Sequence, residues 1–220
     1  MDTFQSIFDG LMLSDGSLCK QRDNARYQHT CKYKSYVDYL LDISKDYGLF
    51  YSENCPTVRT DISVRWAIAS RVDTRLTEQY FRWYDLGKKI VPEDVCLSPA
   101  NVLHLYIGDG SLAWNKTYLH GLEISVQGFA LPYRLFLKEK LTQLGFPFRM
   151  DTVGKFGLKK SVVPSFLEWI GKPPFHCYDY KWMIEDREEY NRLRHDPQYL
   201  VDNQQPVSRK GGEEGSTTIP

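Results

Sequence analysis

Apolar and polar positions along the chain fall into two periods that alternate through two similar halves. Phe8 to Leu13, broken only by Asp9 and Gly10, and Val102 to Ile107, broken only by His104, are apolar runs. Such runs predict helices buried on most sides. Each leads into the same four residues, Asp15-Gly16-Ser17-Leu18 and Asp109-Gly110-Ser111-Leu112. An internal repeat of this kind predicts a duplicated unit. After the first run the period changes to two. Arg26, Gln28, Thr30 and Lys32 alternate with Tyr27, His29 and Cys31, which predicts a strand with one polar face. A helix begins at Ser35, carries Tyr36, Tyr39, Leu40 and Ile43 at helical spacing, and stops at Gly48. Strands follow near Phe50-Tyr51 and from Asp61 to Ala69, where Arg59, Asp61, Ser63 and Arg65 oppose Thr60, Ile62 and Val64. A short amphipathic helix over Thr77 to Trp83 closes the first half.

The second half repeats the order. Ser98-Pro99 is a helix start, a capping residue followed by proline at the first helical position. A hairpin then contains a strand from Leu119 to Gln127, with Gly121, Glu123, Ser125 and Gln127 on its polar face. A helix over Leu131 to Leu144 ends at Gly145 and Pro147. A hairpin of Phe148 to Met150 and Phe156 to Lys159 turns at Gly154 and Lys155, and a helix from Pro164 to Ile170 stops at Gly171. The expected fold is therefore α+β, two αββαββα halves over residues 1–84 and 98–184 joined by a connector over 85–97. Residues 185–220 are a charged segment and a tail, expected to be disordered from about Asn203 because its Gln, Gly, Glu, Ser and Thr cannot bury enough. Gly16 is expected to close the first helix in the left-handed conformation.

Composition narrows the class. With 220 residues, 42% hydrophobic and 25% charged, the chain is expected to be soluble, globular and able to bury a sizeable core. No apolar run approaches the roughly 20 residues of a membrane span, and no secretory signal is expected. The cysteines, Cys19, Cys31, Cys55, Cys96 and Cys177, include no C-x-x-C pair, so neither a zinc site nor a disulfide framework is expected, and the location is expected to be intracellular.

Charge changes the picture locally rather than overall. Lys+Arg and Asp+Glu are equal at 28 each. Between Gly16 and Tyr36, however, Lys20, Arg22, Arg26, Lys32 and Lys34 face only Asp23, and Lys155, Lys159 and Lys160 form a second basic stretch. Acid gathers near Glu185-Asp186 and Glu188-Glu189. A basic face with an acidic back is compatible with a nucleic-acid partner. The donors of Arg26, Gln28, Thr30 and Lys32 suit base edges and phosphates.

Asp15 and Asp109 are the candidate chemistry. An acid in the last turn of a helix meets unpaired carbonyls and the negative end of the dipole, at a cost of about 0.3–1 kcal/mol. Repeating the unfavourable choice at matching positions points to another requirement for those carboxylates. If the two helices pack together, acids about 5 Å apart repel by roughly 3 kcal/mol at an effective dielectric near 20, which favours a shared proton or a bound cation.

Both stretches resemble the motif of the LAGLIDADG homing endonucleases. Gly10 and Ser14 fall on the family's small positions, Asp15 on its metal-binding acid and Gly16 on its final glycine. In the second copy Gly108, Asp109 and Gly110 match, whereas His104 stands where the family prefers glycine. Trp83-Tyr84, Gly87-Lys88-Lys89-Ile90-Val91-Pro92 and Leu97-Ser98-Pro99 extend the similarity, which covers about residues 4 to 175. The resemblance implies motif helices packed at the centre and antiparallel sheets forming a DNA-binding saddle. It implies a site-specific double-strand DNA endonuclease, a single-chain monomer hydrolysing one phosphodiester on each strand. Asp15 and Asp109 would hold Mg²⁺ or Mn²⁺, and Lys155 and Arg65 would be the basic residues beside the scissile phosphates. Lys89 belongs to the connector pattern and is expected to serve structure. Contacts to DNA are assigned to Lys20, Arg22, Arg26, Gln28, Thr30, Lys32, Lys34, Arg59, Lys116, Glu123, Ser125, Gln127 and Lys159. Two other functions fit the same resemblance: an RNA-binding intron maturase, and a DNA-binding regulator without cleavage. Because such proteins are often encoded in organellar introns, a chloroplast or mitochondrial location also fits.

Overall fold

A computed structural model describes residues 3–45, 50–53 and 66–195. Its elements run α1 (Thr3–Leu13), β1 (Ser17–Gln21), β2 (Asn24–Cys31), α2 (Lys34–Ile43), β3 (Phe50–Glu53), β4 (Trp66–Ser70) and α3 (Thr74–Trp83). A small hairpin of β5 (Tyr84–Asp85) and β6 (Lys88–Lys89) follows. Then come α4 (Pro99–Asp109), β7 (Gly110–Asn115), β8 (Tyr118–Ile124), α5 (Leu131–Gln143), β9 (Arg149–Met150), β10 (Phe156–Lys159) and α6 (Val163–Ile170). A 3-10 helix over His176–Trp182 and α7 (Arg187–His195) complete the described chain. The two four-stranded antiparallel sheets have the same order, β1-β2-β4-β3 and β7-β8-β10-β9. This is the α+β arrangement of paired αββαββα units expected from the repeat.

The motif helices are buried because apolar side chains dominate their sequences. Phe8, Leu11, Met12 and Leu13 of α1 and Val102, Leu105, Tyr106 and Ile107 of α4 lie in a continuous core that joins both halves. Close approach of α1 and α4 depends on absent side chains. A Cβ on Gly10 would stand 2.4 Å from the Asn101 carbonyl oxygen, and one on Gly108 would stand 2.7 Å from the Ser14 Cβ. Asn101 also fixes the start of α4, its Oδ1 accepting from the Ser98 N–H at 2.8 Å.

His104 does not spoil this packing. Its ring stacks on Tyr36 of α2, whose hydroxyl lies 2.8 Å from His104 Nδ1. A residue of the second half thus completes the core of the first. His29, on β2, is buried beside the same tyrosine. Burial lowers the pKa of His104 to about 3 and of His29 to about 4, so both rings are neutral in the fold. The unfolded chain takes up these protons near the ordinary value of 6.5. Stability from the neutral rings is therefore complete above that pH and is lost as the pH falls toward the folded values. Replacing His104 by glutamine removes one such group and its stacking. The destabilisation is expected to be smaller at about pH 5 than at about pH 7.5, by about 2 kcal/mol. Urea unfolding of both proteins at the two pH values measures it, and an equal loss at both would contradict a neutral buried ring.

Three local expectations are corrected. Gly16 is not left-handed; glycine is needed for room, since a Cβ there would lie 2.6 Å from the Leu11 carbonyl oxygen and 2.8 Å from the Tyr27 hydroxyl. The third helix begins at Thr74 rather than Thr77, capped by the Asp73 carboxylate accepting from the Arg75 N–H at 2.8 Å. The strand expected to reach Gln127 ends at Ile124, where pairing with Phe156 stops. The expected stop at Gly48, the polar positions Arg59 to Arg65 and the tail from Asn203 lie outside the described residues.

Candidate functional site

Asp15 and Asp109 emerge side by side beneath the packed motif helices. Asp15 follows α1 and is exposed, whereas Asp109 ends α4 and is half-buried. Gly108 provides the room between them: its Cβ position is 3.1 Å from Asp15 Oδ2. The pKa of Asp109 is raised to about 7, first by burial and then by the charge of Asp15. Like charges held together in partly dehydrated surroundings favour either a proton or a cation.

Two lysines frame this acid pair, Lys181 buried and Lys89 half-buried. Lys89, at the end of the connector hairpin, donates to the carbonyls of Ser14 at 3.1 Å and Gly16 at 2.7 Å. Lys181, in the 3-10 helix, donates to those of Tyr106 at 3.1 Å, Ile107 at 2.6 Å and Gly110 at 2.7 Å. Each therefore binds the chain around the carboxyl end of one motif helix and offsets the negative end of its dipole. Burial lowers Lys89 to about 8 and Lys181 to about 7, while Asp109 and Asp15 act in the opposite direction on both. The structural role expected of Lys89 agrees with its backbone bonds. Lys181 is absent from the candidates that the sequence supplies. The one signal for it is spacing: it lies about one repeat length beyond Lys89, as Asp109 does beyond Asp15.

The carboxylates fit a hard divalent cation. Oxygen donors from two elements converge, and Asp109, whose charged form is disfavoured first by burial and then by Asp15, would be relieved by Mg²⁺ or Mn²⁺. Among the described residues no group of three or more His, Cys, Asp or Glu side chains forms a cation cage, so water and substrate oxygens would complete the coordination.

The other candidates divide by strand face. Arg26, Gln28 and Thr30 do share the outward face of β2, opposite buried Tyr27 and His29. Lys32 follows directly and is exposed. Glu123 of β8 and Lys159 of β10 lie on the outward face of the second sheet. Lys20 pairs with Ala25 on the opposite face of β1, its Nζ 5.0 Å from the Phe81 ring centre, so it does not join Arg26 and Gln28. Lys34 lies at the start of α2, engaged by Asp38 at 2.7 Å. Arg22 and Lys116 occupy the tips of the β1–β2 and β7–β8 hairpins with positive φ of 54 and 52 degrees. Ser125 and Gln127 lie past β8; the Ser125 N–H donates to the Asp109 carbonyl at 2.9 Å and Gln127 is in a turn. Lys155 sits in the β9–β10 turn with its Nζ 3.6 Å from Glu123 Oε2. Arg59 and Arg65 lie outside the described residues.

Known proteins resemble this chain in sequence and in fold. A family model described as the LAGLIDADG DNA endonuclease family matches residues 5–164. An uncharacterized protein of Methanocaldococcus jannaschii is 26% identical over 202 residues, covering 83% of this chain and 77% of that protein. Among solved structures, the homing endonuclease I-WcaI bound to its DNA recognition sequence superposes with a TM-score of 0.66 at 14% identity, over 84% of this chain and 87% of that one. The N-terminal LAGLIDADG domain of DUF199/WhiA superposes with a TM-score of 0.51 at 15% identity, over 78% of this chain and 84% of that one. At these identities the superpositions show the fold.

Proposed function

Because the chain belongs to the LAGLIDADG DNA endonuclease family, we propose that it is a site-specific double-strand DNA endonuclease that requires a divalent cation. The observation that carries this reading is the acid pair, Asp15 beside Asp109 beneath the motif helices, each helix end held by its own lysine. Asp15 and Asp109 would hold Mg²⁺ or Mn²⁺, which supplies activation of a water and stabilisation of the departing 3′ oxygen. The protein's own contribution is positional. Lys89 and Lys181 fix the backbone that carries each acid. With pKa values lowered by burial, each ammonium could give up a proton near neutrality and the resulting amine take one back. The outward faces of β2 and of β8–β10 provide the surface on which a duplex would lie, with Arg26, Gln28, Thr30, Lys32, Glu123 and Lys159 reaching toward it.

A randomised duplex library is the direct test: cutting with Mg²⁺ and none with chelator supports the reading, and no cutting in either favours the regulator or the maturase. A second expectation concerns binding itself. For each phosphate that the protein no longer neutralises, the slope of log K against log salt shrinks by about 0.9. Lys32→Ala is therefore expected to flatten the salt dependence by about one unit. An unchanged slope would place the β2 face away from the duplex.

A further inference from the structure

Gly157 lies within β10, at a place where the fold has no need of a glycine. Its φ is not positive, and a Cβ there would meet only the Arg149 carbonyl oxygen, at 4.0 Å. A glycine inside a strand costs backbone entropy and leaves nothing to pack, so it marks a bulge or a close approach from outside. There is no bulge at this point, since Gly157 pairs in register with both neighbouring strands. Gly121 of β8 is different. A Cβ there would lie 2.3 Å from the Leu158 carbonyl oxygen, so the strand pairing itself requires it.

Both glycines line a recess of about 320 Å³ on the outward face of the second sheet, together with His120, Glu123, Arg149 and Lys159. The register fixes how the charged groups stand. Gly157 is paired with Glu123 on one side and with Arg149 on the other, so the three share one rung and one face. An arginine and a glutamate are thus rooted roughly 10 Å apart, two strand spacings, with no side chain between them. Among the described residues Arg149 forms no ion pair, and Glu123 has only Lys155, whose Nζ lies 3.6 Å from Oε2 at a partly exposed contact. A phosphate would be served by the cations alone, because a carboxylate beside it repels it. A base edge suits the mixture. In the major groove guanine offers N7 and O6 to a guanidinium fork, and its cytosine offers the N4 amino group to a carboxylate.

We propose that the recess over Gly157 takes the major-groove edge of one G·C base pair, with guanine toward Arg149 and cytosine toward Glu123. This rests on the duplex-binding reading above and assigns one position of the recognised sequence. Gly157 is bare so that the edge can descend between the two readers. The carboxylate, a liability against the phosphate backbone, serves there as the acceptor that the cytosine amino group needs.

The test retains duplexes from a randomised library by binding alone, without divalent metal, and sequences those retained. It uses the full chain, Arg149→Gln, Glu123→Gln, Gly157→Ala and Gly157→Val, with thermal midpoints showing that each is folded. The parent is expected to fix a G·C pair at one position. Arg149→Gln and Glu123→Gln are each expected to relax that same position, by about ten- to a hundredfold, and to leave the others unchanged. Gly157→Ala is expected to raise the thermal midpoint by about 1–3 °C, since the strand accepts a side chain there. Gly157→Val is expected to weaken binding of the parent's selected duplex by at least about tenfold, because it fills the recess. Relaxation at two different positions, or at none, overturns the shared edge, as does a Gly157→Val protein that binds like the parent. A lowered midpoint for Gly157→Ala would give the glycine a purpose in the fold and overturn the argument from it. If the parent binds duplexes but fixes no G·C pair, this proposal alone falls. If the parent binds no duplex, the duplex-binding reading fails, and the recess with it.

Discussion

Duplex cleavage by the Asp109→Asn protein is expected to fall by at least about a hundredfold, while binding in Ca²⁺ or without metal persists or tightens. Asparagine keeps the volume and removes the charge that would help hold the cation, and cation chemistry of this kind contributes several kcal/mol to the barrier. The Asp109 electrostatics add an expectation about stability. Burial and Asp15 raise the Asp109 pKa from the ordinary value of 3.8 to about 7. The unfolded chain therefore releases that proton first, and folding stability falls as the pH rises from the lower value to the upper. Asparagine has no proton to lose, so at neutral pH the variant should be more stable than the parent, by something on the order of 2 kcal/mol. Asp15→Asn should also abolish cleavage, with a smaller gain because Asp15 is exposed. A variant that cuts like the parent would remove these acids from the chemistry. Loss of cutting without the gain in stability would mean that Asp109 is not strained by its surroundings.

The largest expected effect on stability lies on the other side of α1. Asp9 is fully buried, and Arg82 of α3 holds both its oxygens, at 2.6 and 3.0 Å. Arg82 also reaches Asp94 of the connector at 3.0 Å, and Gln5 donates to Asp9 at 2.8 Å. One guanidinium thus joins the motif helix, the last helix of the first half and the connector. Arg82→Met would leave a buried carboxylate with only an amide for company, and removing one partner of such a pair costs about 3–5 kcal/mol. The double variant Asp9→Leu/Arg82→Met should recover much of that loss, since the pair's own net value is small. Urea midpoints with unchanged slopes would measure both. A midpoint for Arg82→Met equal to the parent's would show that water reaches Asp9.

How much of this is legible in the sequence depends on how far each signal reaches along the chain. The alternation over Arg26 to Cys31 spans most of β2, so it separates the polar face from the buried one as the fold does. Alternation misleads at the far end of β8, where Val126 is buried without a strand partner and so prolongs the pattern past Ile124. Charge groups Lys20 with Arg26, but a one-residue offset on a paired strand sends a side chain to the opposite face. The connector hairpin has strands of two residues each, too short to carry any period. Asp9 within an apolar run gives no hint of its partner, because Arg82 lies more than seventy residues away and the pair exists only once α1 and α3 are packed. Lys181 is hidden for a similar reason: its meaning lies in two carbonyls of α4 and one at the start of β7.

Packing of α1 on α4 also sets the order in which the chain can hide its oily surface as it is made. The first motif helix ends at Leu13, and the helix that covers it is complete only at Asp109. At ribosomal speeds of about 5–20 residues per second, that interval lasts roughly 5–20 s. Throughout it, the side of α1 that carries Gly10 and faces α4 has nothing to pack on, and the rest of the first half covers only its other flank. A helix face enclosed in the finished protein is thus left open while the chain is being made. Nascent chains of this protein therefore spend their most adhesive seconds in the first half, before a single residue of α4 has left the ribosome.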